Sequence, residues 1–268
     1  MNPTTTSLSS ADILWAQLRA LPAFRALIRA MEARLFAQLG PLPQPMLDIG
    51  VGDGHFAQAV WEYVDAGIDP DEPSLHEAQR RGVYRLLSRA SATRLPFADA
   101  SFASAVSNCV IEHIPDNDSV MREVARVLRP GGQFVFSVPT DRLNDGLTIT
   151  RILHGLGANG LAARYKAWFT RMQVHFHMHS PDEWQRRAEA VGLCVTQRIG
   201  YMGPRATALF DLGHFYGVPN LIARKLTGQW VPWAWRPRFA LEQAVLAPLV
   251  AEDDPPGATC CFFVAHKE

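Results

Sequence analysis

Cysteine is scarce in this chain. Its four residues, Cys109, Cys194, Cys260 and Cys261, have neither metal-ligand spacing nor the density of a secreted disulfide scaffold, so a reducing compartment is expected. No uninterrupted apolar run approaches the ~20 residues that a bilayer-spanning helix needs. Residues 1–10 lack the basic start and apolar core of a signal peptide. The expectation is a cytoplasmic protein, with peripheral membrane contact left open. Neither sign of charge is in excess, since Lys plus Arg and Asp plus Glu number 26 each. That removes the overall basic field that would hold a polyanion, so nucleic acid is not expected as a partner. Internal repeats and low-complexity tracts are also lacking. What is present is apolar surface, 48% of 268 residues, enough for one large domain or one domain with appendages.

Residues 11–39 read as two helices separated at Pro22. Phe24, Leu27, Ile28, Met31 and Leu35 recur at helical spacing, while Arg25, Arg29 and Glu32 fall largely off that stripe. Gly40, Pro41, Pro43 and Pro45 close this N-terminal helical cap, residues 1–45. From Met46 short apolar strands alternate with amphipathic helices, the pattern of an α/β fold with a parallel sheet. Strands are predicted at 46–49, 64–69, 84–89, 103–108 and 133–138, and helices at 55–62, 73–81 and 117–129. The last helix has Asp116 as its N-cap and stops at Pro130-Gly131-Gly132. This core, 46–139, is interrupted at 140–180 and continues through a helix and strand within 181–199. A second interruption, 200–258, is rich in Trp, Pro and Phe, and an apolar strand closes the chain within 259–268.

The segment Met46 to Phe56 is a strand that runs into a glycine turn and then a helix, which is where an α/β sheet binds ligands. Gly50 and Gly52 let the backbone approach a ligand, and Asp48 can fix the loop or accept from an ammonium group. A dinucleotide fingerprint needs glycine at the sixth position of the turn, which here is His55, so NAD is disfavoured. A purely structural strand-to-helix turn remains open. Asp69, at the end of the next strand and 19 positions after Gly50, can accept from both hydroxyls of a ribose, or it can cap the helix at 73–81.

Five motifs occur in order: Leu47-Asp48-Ile49-Gly50-Val51-Gly52-Asp53-Gly54, Leu95-Pro96-Phe97, Ser101-Phe102, Glu112-His113, and Arg126-Val127-Leu128-Arg129-Pro130-Gly131-Gly132. Together they resemble the class I S-adenosylmethionine-dependent methyltransferases of the small-molecule type. The resemblance covers about 46–139 and extends more loosely through Ser180-Pro181-Asp182-Glu183-Trp184 and Val191-Gly192-Leu193. It implies a Rossmann-like, seven-stranded, mostly parallel sheet, with the N-terminal helices and the helical and aromatic insertions over the cofactor cleft. It implies S-adenosylmethionine as the cofactor. Asp48, Gly50 and Gly52 would surround its methionine part, Asp69 with Pro70 would hold the ribose, and Ser91 with Ala92 would border the adenine. Asn108, at the end of the fourth strand, would complete the cofactor site. The chain departs from the family at Ser91 and at Ala103, where aspartate is usual, and the first change gives the adenine amine a neutral acceptor.

Methyl transfer from a sulfonium needs alignment and the exclusion of water more than a covalent enzyme residue. If the acceptor is a hydroxyl, a histidine can remove its proton. His113, just after the fourth strand, and the run His175-Phe176-His177-Met178-His179 supply the candidates, of which His113, His175 and His177 are taken as catalytic. In an extended segment the three histidines of the run would share one face. No spaced carboxylate or cysteine accompanies them in sequence, so no metal is expected. A structural role, ordering the loops they stand in, is open for each. Phe210, Leu212, Phe215, Tyr216, Trp230, Trp233 and Trp235 suit a lipophilic or aromatic acceptor, or contact with a membrane interface, or the packing of an enlarged core. Arg224, Lys225, Arg236 and Arg238 flank the tryptophans and could meet lipid headgroups or an anionic acceptor, or be solvated. The first expectation is an O-methyltransferase acting on a small or lipid-like acceptor. The alternative is a non-catalytic S-adenosylmethionine-binding subunit that serves as an interaction module.

Overall fold

The computed structural model describes residues 9–231 and 236–268. Ser9 accepts from the Asp12 amide while Asp12 reaches back to Ser9, a capping box that starts helix α1 (Ser10–Leu18). Helix α2 (Ala23–Gln38) follows Pro22, whose fixed φ suits a helix start. Then come β1 (Met46–Ile49), α3 (His55–Val60), β2 (Val64–Asp69), α4 (Glu72–Arg81), β3 (Tyr84–Arg89), β4 (Phe102–Asn108), a 3-10 turn (Ile111–His113), α5 (Asn117–Val127) and β5 (Leu128–Pro139). The segment after β5 folds as α6 (Arg142–Gly146), α7 (Thr148–Gly155) and α8 (Asn159–Gln173). The chain then forms α9 (Pro181–Glu189), β6 (Leu193–Tyr201), α10 (Pro204–Tyr216), α11 (Val218–Thr227), α12 (Arg236–Val250) and β7 (Cys260–Lys267).

The seven strands form one sheet in the order β3-β2-β1-β4-β5-β7-β6. All pairs are parallel except those of β7, which runs antiparallel to β5 and β6. This is the expected Rossmann-like, mostly parallel sheet. Its central strands are apolar on both faces, as a sheet covered by helices on both sides requires. Phe262 and Val264 of β7 belong to a core shared with α1, α2 and α12, while Cys261, Phe263 and Ala265 alternate into a core shared with α5 and α9. On the first face Phe36 of α2 meets Phe262 edge-on at 4.9 Å. On the second, Trp184 of α9 is fully buried.

Element boundaries differ most from expectation at α3 and at the junction of α5 with β5. Helix α3 stops at Val60 because Trp61 turns extended. Helix α5 ends at Val127, and β5 begins at Leu128 rather than 133, because Leu128 pairs with Phe102 across an irregular register. Arg126 accounts for the co-occurrence of two of the motifs: its guanidinium donates to the carbonyls of Leu95 at 3.1 Å and Phe97 at 2.8 Å, pinning that loop to the end of α5. Among the described residues no helix is long and apolar enough to cross a membrane.

Candidate functional site

After β1 the chain turns through Gly50 and Gly52, whose φ angles are +80° and +52°. At Gly50 the left-handed backbone disfavours any side chain, and a Cβ would stand 2.5 Å from both methyls of Val110. Gly52 donates its amide to Asp69 Oδ2 at 2.9 Å, and Asp69 Oδ1 accepts from the Asp71 amide at 2.9 Å. The cap of α4 is Asp71, which accepts from the Ser74 amide at 3.0 Å. Asp69 is therefore not the helix cap; it ties the turn after β1 to the turn after β2. Pro70 follows it, with its carbonyl accepting from Arg89 Nε at 3.2 Å. The loop after β3 is held to the same place by the Ala90 amide, which donates to the Asp69 carbonyl at 3.2 Å. There Ser91 is exposed, its hydroxyl 2.8 Å from that of Thr93, and Ala92 is buried in the core.

Asp48 is buried, and its Oδ2 accepts from the Tyr84 hydroxyl at 2.6 Å. Tyr84 opens β3, two strands away, and its ring lies against β2 where Gly67 has no side chain. A Cβ on Gly67 would come within 2.8 Å of Tyr84 Cε1 and 2.5 Å of Val51 Cγ1. Gly67→Ala is expected to cost ~1–3 kcal/mol of stability through overpacking; an unchanged urea midpoint would refute the close approach. Burial, reinforced by the charge of Asp69, pushes the Asp48 carboxyl up to about 7, against the Tyr84 hydrogen bond that lowers it. Asp48 is thus ionised above about pH 7 and neutral below it. A ligand ammonium bound to it should lose affinity by up to tenfold per unit as pH falls below about 7. Calorimetry with S-adenosylmethionine across that range checks this, and a flat profile would remove Asp48 as an ammonium partner.

A second polar centre joins α2 to the far side of this turn. Glu32 is fully buried. Its Oε2 accepts from Arg29 at 2.6 Å and from Asn108 Nδ2 at 2.8 Å, and its Oε1 accepts from the Cys109 thiol at 3.1 Å and the Tyr201 hydroxyl at 3.2 Å. Asn108 Oδ1 in turn accepts from the Ser137 hydroxyl at 2.6 Å. The Asn108 side chain is thereby engaged by Glu32 and Ser137.

Over the carboxyl ends of β4 and β5 lies a cavity of about 430 Å³. Its apolar wall includes Phe24, Ile28, Leu143, Met202 and Phe210, and its polar wall includes Arg25, Arg29, Glu112, His113 and His175. Cys109 and Met202 also line it, and both hold left-handed backbone at φ +52° and +62°. Such strain costs ~1–3 kcal/mol for a residue with a side chain and clusters at ligand sites. Both interrupting segments contribute to the wall, and so does α2, whose place in the site the helical stripe did not reveal. Gln173 Nε2 donates to His214 Nε2 at 2.7 Å while His214 Nδ1 donates to the Phe210 carbonyl at 2.8 Å, which fixes that side of the wall.

The histidines separate. His113 and His175 face one another in the cavity with ring centroids 5.0 Å apart. His177 is directed elsewhere: its Nε2 donates to the Pro115 carbonyl at 2.8 Å and its ring stacks on His179. The segment is not a strand, so the common face expected of extended backbone does not form. Of the aromatic residues, Phe210 and Trp230 line the cavity, whereas Phe215 and Tyr216 are exposed. Trp230 carries the guanidinium groups of Arg25 at 5.0 Å and Arg224 at 4.7 Å from its ring centre. Trp233 and Trp235, and the side chains of Arg236 and Arg238, lie outside the described residues. Tyr84 and Glu32 were not legible as site residues, because each acts through partners far away in sequence, and Arg29 was missed because only the packing of α2 over the sheet brings it to the cavity.

The sheet order and the glycine turn define a class I S-adenosylmethionine-dependent methyltransferase fold. Residues 47–136 match the family described as methyltransferase domain. Uncharacterised methyltransferases of Mycobacterium sp. (strain KMS) and Mycobacterium tuberculosis (strain ATCC 25618 / H37Rv) are 39% and 36% identical to it, each over 47% of this chain and over 50% and 51% of their own length. The chain spans about half the length of the curated relatives it matches. A S-adenosylmethionine-dependent methyltransferase of Thermotoga maritima superposes with a TM-score of 0.56 at 15% identity, covering 92% of this chain and 91% of that one. Geranyl diphosphate methyltransferase gives 0.54 at 14% identity, covering 88% and 77%. The [4+2]-cyclase SpnF gives 0.54 at 17% identity, covering 89% and 80%, so the fold by itself does not dictate methyl transfer.

Proposed function

We propose that this protein is a S-adenosylmethionine-dependent methyltransferase that methylates a small, lipophilic or aromatic acceptor, on oxygen in preference to nitrogen or carbon. The observation that carries this reading is the junction of two sites. Val110, against which Gly50 of the cofactor turn packs, stands between Cys109 and Glu112, which line the cavity. The cofactor turn and the cavity thus share a wall.

The residues present fit the cofactor. No heavy atom lies within 4 Å of where a Cβ of Gly52 would stand. The carboxylate of Asp48 suits an ammonium, and that of Asp69, already oriented by two backbone amides, suits ribose hydroxyls. Pro70, Ser91 and Ala92 would border the remainder, and Asn108 would act by holding the end of β4 in place. When bound, the cofactor supplies an electrophilic methyl on a sulfonium, so the protein needs no nucleophile of its own.

The chain's own work is then to bind the acceptor, aim it and keep water out. About 430 Å³ falls within the ~300–1,000 Å³ of small-molecule sites. Phe24, Ile28, Leu143, Met202 and Phe210 would pack the body of a lipophilic acceptor, and Glu112, His113 and His175 would meet its polar, reacting end. Val218, Leu221, Ile222 and Leu226 are exposed on α11, at spacings that place them on one side of the helix, beside Arg224 and Lys225. That row supports peripheral contact with a lipid surface and is equally the observation that favours a non-catalytic interaction module.

Incubation with methyl-labelled S-adenosylmethionine and an extract of the source cells, followed by separation into organic-soluble, small polar, protein and nucleic-acid fractions, tests the reading. Protein-dependent label is expected in the organic-soluble fraction. Label in the protein or nucleic-acid fraction would overturn the small acceptor, and no label in any fraction, with S-adenosylmethionine still bound, would establish the non-catalytic module.

A further inference from the structure

Three side chains in the cavity wall meet in a way that sequence spacing concealed. Glu112 and His113 are adjacent in the turn after β4, and His175 arrives from the segment after α8, 62 positions further on. Each offers one metal-binding atom, and these atoms all lie within 4.8 Å of one another. We propose that Glu112, His113 and His175 form a binding site for a divalent cation of the zinc type, open to the acceptor cavity.

Four observations carry the assignment. First, the two His nitrogens and one carboxylate form a known ligand set for such ions, with remaining positions left for water or substrate. The cavity provides the room for those positions. Second, two polar atoms on these side chains have no other partner. Glu112 is 1% exposed and its Oε2 has no hydrogen-bond partner; Nδ1 of His175 is likewise buried without one. An orphaned carboxylate oxygen in a protein interior is costly, and a cation removes the cost. Third, His113 is set up as a ligand. Its Nδ1 donates to the Val174 carbonyl at 3.1 Å, which leaves Nε2 with its lone pair, 3.7 Å from Glu112 Oε1. Metal-binding histidines ordinarily have their other nitrogen anchored in this way. Fourth, the two segments are already fastened together, because the Glu112 carbonyl accepts from the amides of Phe176 at 2.9 Å and His177 at 3.2 Å.

Ligands at ~2.1 Å from a common ion stand about 3.4 Å apart in a tetrahedral site. From a spread of up to 4.8 Å the ligand atoms must therefore draw together by up to about 1.4 Å. Arg29 faces the same cavity, but Glu32 neutralises it at 2.6 Å. The use of the ion in catalysis, polarising an acceptor oxygen so that its proton leaves more readily, rests on the function proposed above. The binding does not.

The test uses the full-length, tag-free protein, stripped of metal by chelator and titrated with Co²⁺ and then Zn²⁺ in the absence of S-adenosylmethionine. One equivalent of Co²⁺ is expected, with the visible absorption of a low-coordinate nitrogen and oxygen site, displaced by Zn²⁺. Glu112→Gln and His175→Ala should each weaken binding by about 100-fold, whereas His177→Ala should leave it unchanged. Circular dichroism verifies that the variants fold, and the wild-type spectrum decides the matter if they do not. Less than a tenth of an equivalent bound, loss of binding in His177→Ala alone, or a thiolate charge-transfer band from Cys109 would each overturn the site. Failure of the labelling experiment with cobalt still bound would remove the methyl-transfer reading and leave the cation site standing.

Discussion

Replacing Glu32 with alanine is expected to lower the unfolding free energy by ~3–5 kcal/mol, the cost of breaking a buried ion pair by removing one partner. Glu32 is fully buried, and its loss strands Arg29, the Asn108 amide and the Tyr201 hydroxyl together. Those groups sit on α2, at the end of β4 and at the end of β6, so the three elements that frame the cavity lose their common acceptor. Glu32→Gln should cost less, because it keeps an acceptor oxygen and loses only the charge. Urea denaturation of both variants measures the effect. A loss under ~1 kcal/mol for the alanine variant would place Glu32 among ordinary surface ion pairs.

Asp69→Ala is expected to weaken S-adenosylmethionine binding tenfold or more, consistent with losing one or two charge-assisted hydrogen bonds at ~1.5–3 kcal/mol each. The structure adds a second source of loss, since Asp69 also orients the Gly52 amide at 2.9 Å. Asp69→Asn separates the two. Its side-chain oxygen can still accept from Gly52, while the charge that would hold the ribose is gone. Calorimetry on both variants gives the answer: equal affinity in wild type and Asp69→Ala would take Asp69 out of the site. A loss in Asp69→Ala that Asp69→Asn fully restores would reduce its role to holding the turn.

The core of the fold was legible because its signals are local. A four-residue strand, Met46 to Ile49, that carries Asp48 and runs into Gly50 and Gly52 specifies a strand, a turn and a helix start within a dozen positions. The N-cap Asp116 likewise sits where the sequence places it. The end of α5 was less legible: Val127 and Leu128 fit a helix stripe equally well, and the pairing of Leu128 with Phe102, 26 positions away, decided for strand. For Asp69 the sequence left helix cap and ribose carboxylate open, and the position of Asp71 resolved the first.

The acceptor side followed the opposite logic. Alternation along His175, Phe176, His177, Met178 and His179 predicts a shared face only for extended backbone, and the Glu112 carbonyl holds this segment in another conformation. Ligand sets, buried hubs and cavity walls depend on which distant residues meet. What the sequence by itself determined was the succession of strands and helices within the core, the glycine turn and the carboxylates beside it, since periodicity and turn chemistry act between neighbours. Only the tertiary structure decided that Tyr84 reaches Asp48 past Gly67, that Glu32 joins α2 to β4 and β6, and that Glu112, His113 and His175 face one cavity. Each of those contacts closes a loop of tens to more than a hundred residues, and no local pattern encodes the partner at its other end.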